Sequence, residues 1–189
     1  MSHPQSPGFA HNGSIVLVGL MGAGKTSVGR RLAKRLEMPF CDADEEIVKA
    51  AGCSIEDIFE VYGEEAFRDG ERKVIMRLIE GPPMVLATGG GAFIDDTVRH
   101  KIQENSISIW LRVSLETLII RTEHRGGRPL LKDKDVRATL KSLMEIRDPI
   151  YATADITIDA VGETPDETAE DIIKELDNFV KRKSHRKSP

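Results

Sequence analysis

The sequence predicts an α/β fold, a five-stranded parallel sheet with helices on both faces. Short apolar runs alternate with longer stretches of helical periodicity along the chain. The clearest run, Met84-Val85-Leu86-Ala87, has no polar alternation, as expected of a strand covered on both sides. The chain has 189 residues, 40% apolar and 31% charged, which suits one domain with a sizeable core.

The elements follow in order. Ser14-Ile15-Val16-Leu17-Val18 reads as a buried strand that ends at Gly19. A helix follows from about Gly24 to Glu37, with Val28, Leu32 and Leu36 as its inner stripe. Its basic residues, Arg30, Arg31, Lys34 and Arg35, lie largely away from that stripe. Pro39 breaks the pattern, and Phe40-Cys41-Asp42 gives a short second strand. A helix from Asp44 to Ala51 stops at Gly52, and Ser54-Ile55-Glu56-Asp57 has the form of a capping box. More helix runs from about Gly63 to Glu80, where Gly81-Pro82-Pro83 ends it. The third strand, Met84 to Ala87, gives way to Thr88-Gly89-Gly90-Gly91.

A helix around Asp95 to Glu104 leads into a fourth strand, on which Ile107, Ile109, Leu111 and Val113 share a face. Ser114 caps the next helix. Arg125-Gly126-Gly127-Arg128-Pro129 interrupts the helical pattern, and residues 125–132 are the candidate for a mobile lid loop. Helix resumes around Val136 to Arg147, Asp155-Ile156-Thr157-Ile158 is the fifth strand, and Thr164-Pro165-Asp166-Glu167 opens the last helix. With right-handed crossovers this is a doubly wound sheet. The expected organisation is an N-terminal tail over 1–13, a single domain over 14–180 and a basic C-terminal tail over 181–189, read as a solvated, disordered terminus.

Composition narrows the function. A net charge of −4 gives no sign of a nucleic-acid-binding body. Cys41 and Cys53 match no metal or redox spacing, and the five histidines form no ligand cluster. No run approaches 18 apolar residues, and Met1 to Gly13 holds no apolar h-region. The expectation is a cytoplasmic protein with no membrane and no nucleic-acid partner, and a monomer.

The first chemical motif is Gly19-Leu20-Met21-Gly22-Ala23-Gly24-Lys25-Thr26, which matches G-x-x-x-x-G-K-[ST] between a strand and an amphipathic helix. Its glycines let the backbone curl so that several N–H groups point inward, and the helix adds its positive end. The candidate ATP-binding residues here are Gly22, Ala23, Gly24, Lys25, Thr26 and Ser27. Lys25 can reach the β- and γ-phosphates and Thr26 offers a hydroxyl to Mg²⁺. The chain is thus expected to be a P-loop nucleotide-binding protein, though GTPases, ATPases and small-molecule kinases all share this loop.

Asp42-Ala43-Asp44 follows the second strand. Alternation at a strand end can bring both carboxylates over one cleft, one for magnesium and one for a substrate hydroxyl. Equally, the pair can be a solvated cap for the next helix. No aspartate ends strand three; Thr88 stands there, which moves the metal role to Asp42.

The P-loop with its helix, Phe40-x-Asp42-x-Asp44, Phe67-Arg68, Gly89-Gly90-Gly91, Arg128-Pro129-Leu130-Leu131 and Arg147-x-Pro149-x-Tyr151 occur in one order over roughly 14–160. That ordered set resembles the shikimate kinases. The resemblance implies a fold close to nucleoside monophosphate kinases and transfer of the γ-phosphoryl of ATP to the 3-hydroxyl of shikimate, on the route to chorismate and the aromatic amino acids. It implies Thr26 and Asp42 for Mg²⁺, and Asp44, Arg68, Gly90 and Arg147 for shikimate. Lys25, Asp44 and Arg128 would be catalytic, with Arg128 the lid arginine on the phosphates and Arg121 near the adenine. The chemistry agrees: Arg68 and Arg147 suit a planar carboxylate held in bidentate fashion.

Three rival readings are weighed at the level of sequence. One is another small-acid kinase of the same fold, such as gluconate kinase. A second is a GTPase switch or nucleotide-binding regulatory module, against which stands the lack of an N-K-x-D guanine-reading motif. A third is a pseudo-enzyme that only binds nucleotide, against which stand the intact Lys25, Thr26, Asp42, Asp44 and Arg128.

Overall fold

The computed structural model describes residues 13–123, 135–160 and 164–186. Within them lie five strands: β1 (Ser14–Val18), β2 (Phe40–Asp42), β3 (Val85–Ala87), β4 (Ser106–Arg112) and β5 (Ile156–Asp159). The helices are α1 (Lys25–Leu36), α2 (Ala43–Ala51), α3 (Ile55–Ile79), α4 (Asp96–Asn105), α5 (Leu115–Glu123), α6 (Val136–Tyr151) and α7 (Pro165–Arg186), with a 3-10 turn at Ala92–Ile94. The strand order is β2-β3-β1-β4-β5 and every pairing is parallel.

That order fixes where helices go. The step from β1 to β2 crosses the sheet in one direction and the step from β3 to β4 in the other. Right-handed crossovers then send α1 and α4 to opposite faces. The reversal also opens a crevice at the carboxyl edge beside β1, where ligands bind in such sheets. The loops after β1, β2 and β3 all empty into it.

Burial explains why β1 and β3 lack polar alternation. All five residues of β1 are buried, as are Val85, Leu86 and Ala87 of β3 and Ser106 to Leu111 of β4. Helix α1 approaches the sheet closely because it carries Gly29: a Cβ there would sit 2.6 Å from the Phe40 ring. Its outward arginines join neighbouring elements, Arg31 and Arg35 bridging to Asp166 on α7 and Arg30 to Glu45 on α2.

The core is divided. One large cluster surrounds the sheet, while Ile47, Ile58, Phe67 and Val74 of α2 and α3 form a small cluster of their own. Helix α3 is broken at Gly63, which adopts φ 82° and ψ 173°, so its two halves match the two helices read from the sequence. The capping box at Ser54 and Asp57 is present.

The structure departs from the sequence reading in two places. Asp42 and Asp44 are not an alternating strand pair. Asp42 ends β2 and caps α2, its carboxylate accepting from the Asp44 amide, and Asp44 already lies in the helix. The second departure is α7, which continues to Arg186 through the stretch expected to be a disordered tail from Lys181. Lys183 packs its ammonium 4.6 Å from the Phe179 ring centroid there, one turn back along the helix. The lid loop 125–132 with Arg125 and Arg128, most of the segment between Ala160 and Thr164, and the N-terminal tail lie outside the described residues.

Candidate active site

The phosphate cradle is built from backbone. Gly19, Gly22 and Gly24 take φ of 134°, 82° and 94°, values that side chains rarely adopt, and Gly24 is the N-cap of α1. A Cβ at Gly19 would also strike the Leu111 carbonyl at 2.8 Å. Lys25 is buried, and its ammonium donates to the carbonyls of Gly19 at 2.7 Å and Leu20 at 2.9 Å. The cation is therefore held across the mouth of the loop. The Arg121 guanidinium approaches from α5 and donates to the Ala23 carbonyl at 3.3 Å and the Gly22 carbonyl at 3.4 Å. It stands against the loop itself.

The two aspartates part at the end of β2. The Thr26 hydroxyl donates to one Asp42 oxygen at 2.6 Å, while the other Asp42 oxygen takes the Asp44 amide at 3.0 Å. One carboxylate thus ties the first turn of α1 to the start of α2. Asp44 points elsewhere: one of its oxygens lies 3.0 Å from where a Cβ on Gly89 would stand.

The Gly89-Gly90-Gly91 turn is the meeting point of the cleft. A Cβ on Gly89 would be 2.5 Å from Glu71 Oε1, and one on Gly91 would be 2.2 Å from Arg68 Nη1. A Cβ on Gly90 would be 3.2 Å from the Met21 amide nitrogen, so the turn also touches the P-loop backbone. The Gly90 carbonyl accepts from Arg147 Nη1 at 3.1 Å and from the Tyr151 hydroxyl. Each glycine is crowded in its own way: Gly89 by the Glu71 and Asp44 carboxylates, Gly90 by P-loop backbone and Gly91 by the Arg68 guanidinium.

Around this turn the charges are ordered. Arg68 pairs with Glu71 at 2.8 Å and with Glu64 at 3.1 Å, and its guanidinium lies 5.1 Å from the Phe67 ring centroid. Glu71 is 3% exposed, and its Oε1 has no hydrogen-bond partner among the described residues. Burial pushes its carboxyl above the usual range and Asp44 adds to that, while Arg68 and Arg147 pull it down. Tyr151 is fully buried and packs on Trp110, with ring centroids 5.9 Å apart.

Of the sequence-predicted residues, the P-loop, Asp42, Asp44, Arg68, Gly90, Arg121 and Arg147 converge on this one crevice. Ser27 follows Thr26 on α1 and lends its carbonyl to Arg31. Arg128 falls outside the described residues. Sequence reasoning missed Glu71 and did not single out Tyr151 for a role. Each had a local signal: Glu71 is three residues after Arg68, and Tyr151 four after Arg147, spacings that place helical neighbours side by side.

No group of three or more metal-ligating side chains occurs among the described residues. The Thr26–Asp42 pair offers two hard oxygens beside the phosphate cradle, which suits Mg²⁺, a cation that keeps several waters and takes few protein ligands. Among the described residues no helix is long and apolar enough to cross a membrane.

This geometry coincides with a known group of proteins. The family model described as shikimate kinase matches residues 21–177. A shikimate kinase of Paramagnetospirillum magneticum is 54% identical over 167 residues, covering 88% of this chain and 86% of that protein. One of Ruegeria pomeroyi is 52% identical, covering 80% and 77%. Among solved structures, the shikimate kinase from Acinetobacter baumannii in complex with shikimate superposes with a TM-score of 0.86 at 38% identity, covering 89% of this chain and 94% of that one. A gluconokinase from Sinorhizobium meliloti shares the fold at a TM-score of 0.61 but is 20% identical. By matched length and by identity, this chain belongs to the shikimate kinase family and is an ATP-dependent phosphotransferase.

Proposed function

We propose that this crevice transfers the γ-phosphoryl of ATP to the 3-hydroxyl of shikimate, giving shikimate 3-phosphate and ADP. The observation that carries it is the Gly89-Gly90-Gly91 turn. It touches the phosphate cradle on one side and is flanked by Arg68, Arg147 and Asp44 on the other. A small hydroxylated acid placed there would have cations for its carboxylate, an anion for its hydroxyls, and the phosphates within reach.

Each residue then has a task. The P-loop amides and Lys25 hold and partly neutralise the β- and γ-phosphates. Arg68 and Arg147 take the acceptor carboxylate, for which a guanidinium is suited as a bidentate donor. Asp44 accepts from the acceptor hydroxyl and aims its oxygen at the γ-phosphorus. A loose phosphoryl-transfer transition state asks for alignment and charge neutralisation more than for a strong base, so Asp44 works first by orienting. Thr26 and Asp42 would hold Mg²⁺, which supplies further neutralisation of phosphate charge when bound. Arg128 is assigned to the phosphates on the family resemblance alone, as is the adenine for Arg121.

The same reading makes residues 14–180 one catalytic domain acting as a cytoplasmic monomer, with ATP and shikimate as its small-molecule partners. The likeness to the gluconokinase extends to the fold alone. A coupled assay of ADP release tests the assignment. Release should depend on shikimate and Mg²⁺ and should not respond to gluconate; gluconate-dependent release without a shikimate response would overturn it.

A further inference from the structure

We propose that Tyr151 is a positioning residue for the acceptor: its hydroxyl, together with Arg147, fixes the Gly90 carbonyl and so sets the floor of the shikimate pocket. This deepens the function proposed above and rests on it.

Two donors converge on one carbonyl oxygen, the Tyr151 hydroxyl and Arg147 Nη1 at 3.1 Å. A peptide unit is planar and trans, so a fixed Gly90 carbonyl also fixes the Gly91 amide that points the opposite way. Glycine has no side chain to hold such a unit; the Gly89 and Gly91 carbonyls take the Ala92 and Ile94 amides, and the Gly90 carbonyl is held by these two side chains. Asp44, Glu71 and Arg68 all crowd this turn. A rotated Gly90 would therefore disturb the pocket and release Arg147 together.

Tyr151 can do this because it is itself immobile. It is buried at the end of α6, packed against Trp110 of β4. Trp110 in turn lies against the P-loop, its Cδ1 3.3 Å from where a Cβ on Gly19 would be. Burial, only partly offset by the Arg147 guanidinium, pushes the phenol up to about 12, so the hydroxyl keeps its proton at any working pH. It is a permanent donor rather than an acid or base.

Tyr151→Phe removes the donor and keeps the ring on Trp110. Losing a neutral hydrogen bond of this kind is worth about 0.5–1.5 kcal/mol, or roughly 2- to 12-fold in affinity. The expected result is a shikimate KM raised several-fold, with the ATP KM and kcat within about twofold of the parent and a melting temperature lowered by no more than about 6 °C. An unchanged shikimate KM in the folded variant overturns the proposal. So does an equal rise in both KM values, which would make Tyr151 merely structural. Should the variant not fold, a second measurement remains. The chain has two tyrosines, and Tyr62 is 67% exposed. Tyr62→Phe protein grown with 3-fluorotyrosine carries a single fluorine probe, at Tyr151. Shikimate added without nucleotide should move its resonance; a resonance that ATP moves and shikimate does not overturns the proposal. Turnover of shikimate by the parent enzyme tests the underlying function separately.

Discussion

At the scale of single residues, the site is defined by what cannot be added to it. Gly91 has an ordinary backbone conformation, with φ −95°, so alanine there costs no strain. Its Cβ would nevertheless fall 2.2 Å from Arg68 Nη1. The yielding partner is the tip of a flexible side chain, so the fold should survive and Arg68 should be pushed off Glu71. Gly91→Ala is therefore expected to raise the shikimate KM about tenfold or more, the loss of one charge-assisted bond, with the ATP KM little changed. A parent-like shikimate KM would show that Arg68 does not hold the acceptor. The aspartates separate in the same manner, since Asp42 faces Thr26 and Asp44 faces Gly89. Asp44→Asn should weaken shikimate binding roughly 10- to 150-fold in calorimetry without metal or nucleotide. Asp42→Asn should leave that binding nearly intact and raise the Mg²⁺ requirement; the opposite pattern would reverse the two assignments. The P-loop was legible because its chemistry is contiguous. Arg68 and Arg147 were legible only as members of an ordered set, because each alone is one more helical arginine. Glu71 went unread because its role exists only in space: nothing in the sequence says that its carboxylate is buried beside Gly89.

At the scale of elements, helix ends do much of the positioning. Asp95 caps α4, accepting the Thr97 amide at 2.9 Å and the Val98 amide at 3.1 Å, and it also pairs with Arg72 of α3. One side chain thus starts α4 and pins α3, the helix that carries Arg68. Burial alone would raise its carboxyl, but Arg72 and the two amides outweigh that and hold it below the usual range. A carboxyl lowered by folding adds stability above its unfolded value, about 3.9, and that stability disappears as pH falls through the folded value. Asp95→Asn keeps a capping group and cannot ionise. Its urea midpoint should lie below the parent's at pH 7, and the gap should close as pH falls below the unfolded carboxyl value and through the lowered folded one; a constant gap would mean the charge is irrelevant. Boundaries of elements were read well where a cap or breaker is local, as at Gly52, Ser54 and Pro39. The end of α7 was not, since a run of lysines and arginines looks the same whether solvated as coil or lined along a helix.

At the scale of the whole molecule, the divided core predicts unequal stability. Around the sheet, strands β1 and β4 sit amid a continuous apolar cluster. Helix α2 and the first half of α3 rest mainly on the small cluster of Ile47, Ile58, Phe67 and Val74, with Ala43 at the start of α2 reaching the main core, and between Ile55 and Ala66 only Ile58 is buried. A buried aliphatic side chain contributes about 1.5–3 kcal/mol, so four cannot match the sheet. This unit should open locally without global unfolding, and its amides should exchange far faster than those of β1 and β4. The same unit supplies Asp44, which faces the acceptor turn, and Arg68 follows five residues past the break at Gly63. On the proposed function, opening it removes Asp44 from the acceptor site and loosens the support of Arg68, so shikimate should oppose the opening. For a ligand bound by the closed form alone, exchange slows by a factor of about 1 + [L]/Kd, approaching 100-fold at a hundred times Kd. Hydrogen exchange of the free enzyme and of the enzyme with shikimate should therefore show strong slowing in α2 and α3. Helix α7, which packs against α1 and β5, should not change. Uniform slowing of every element, or none in α2 and α3 while calorimetry shows shikimate bound, would mean that the acceptor site does not ride on a separately opening unit.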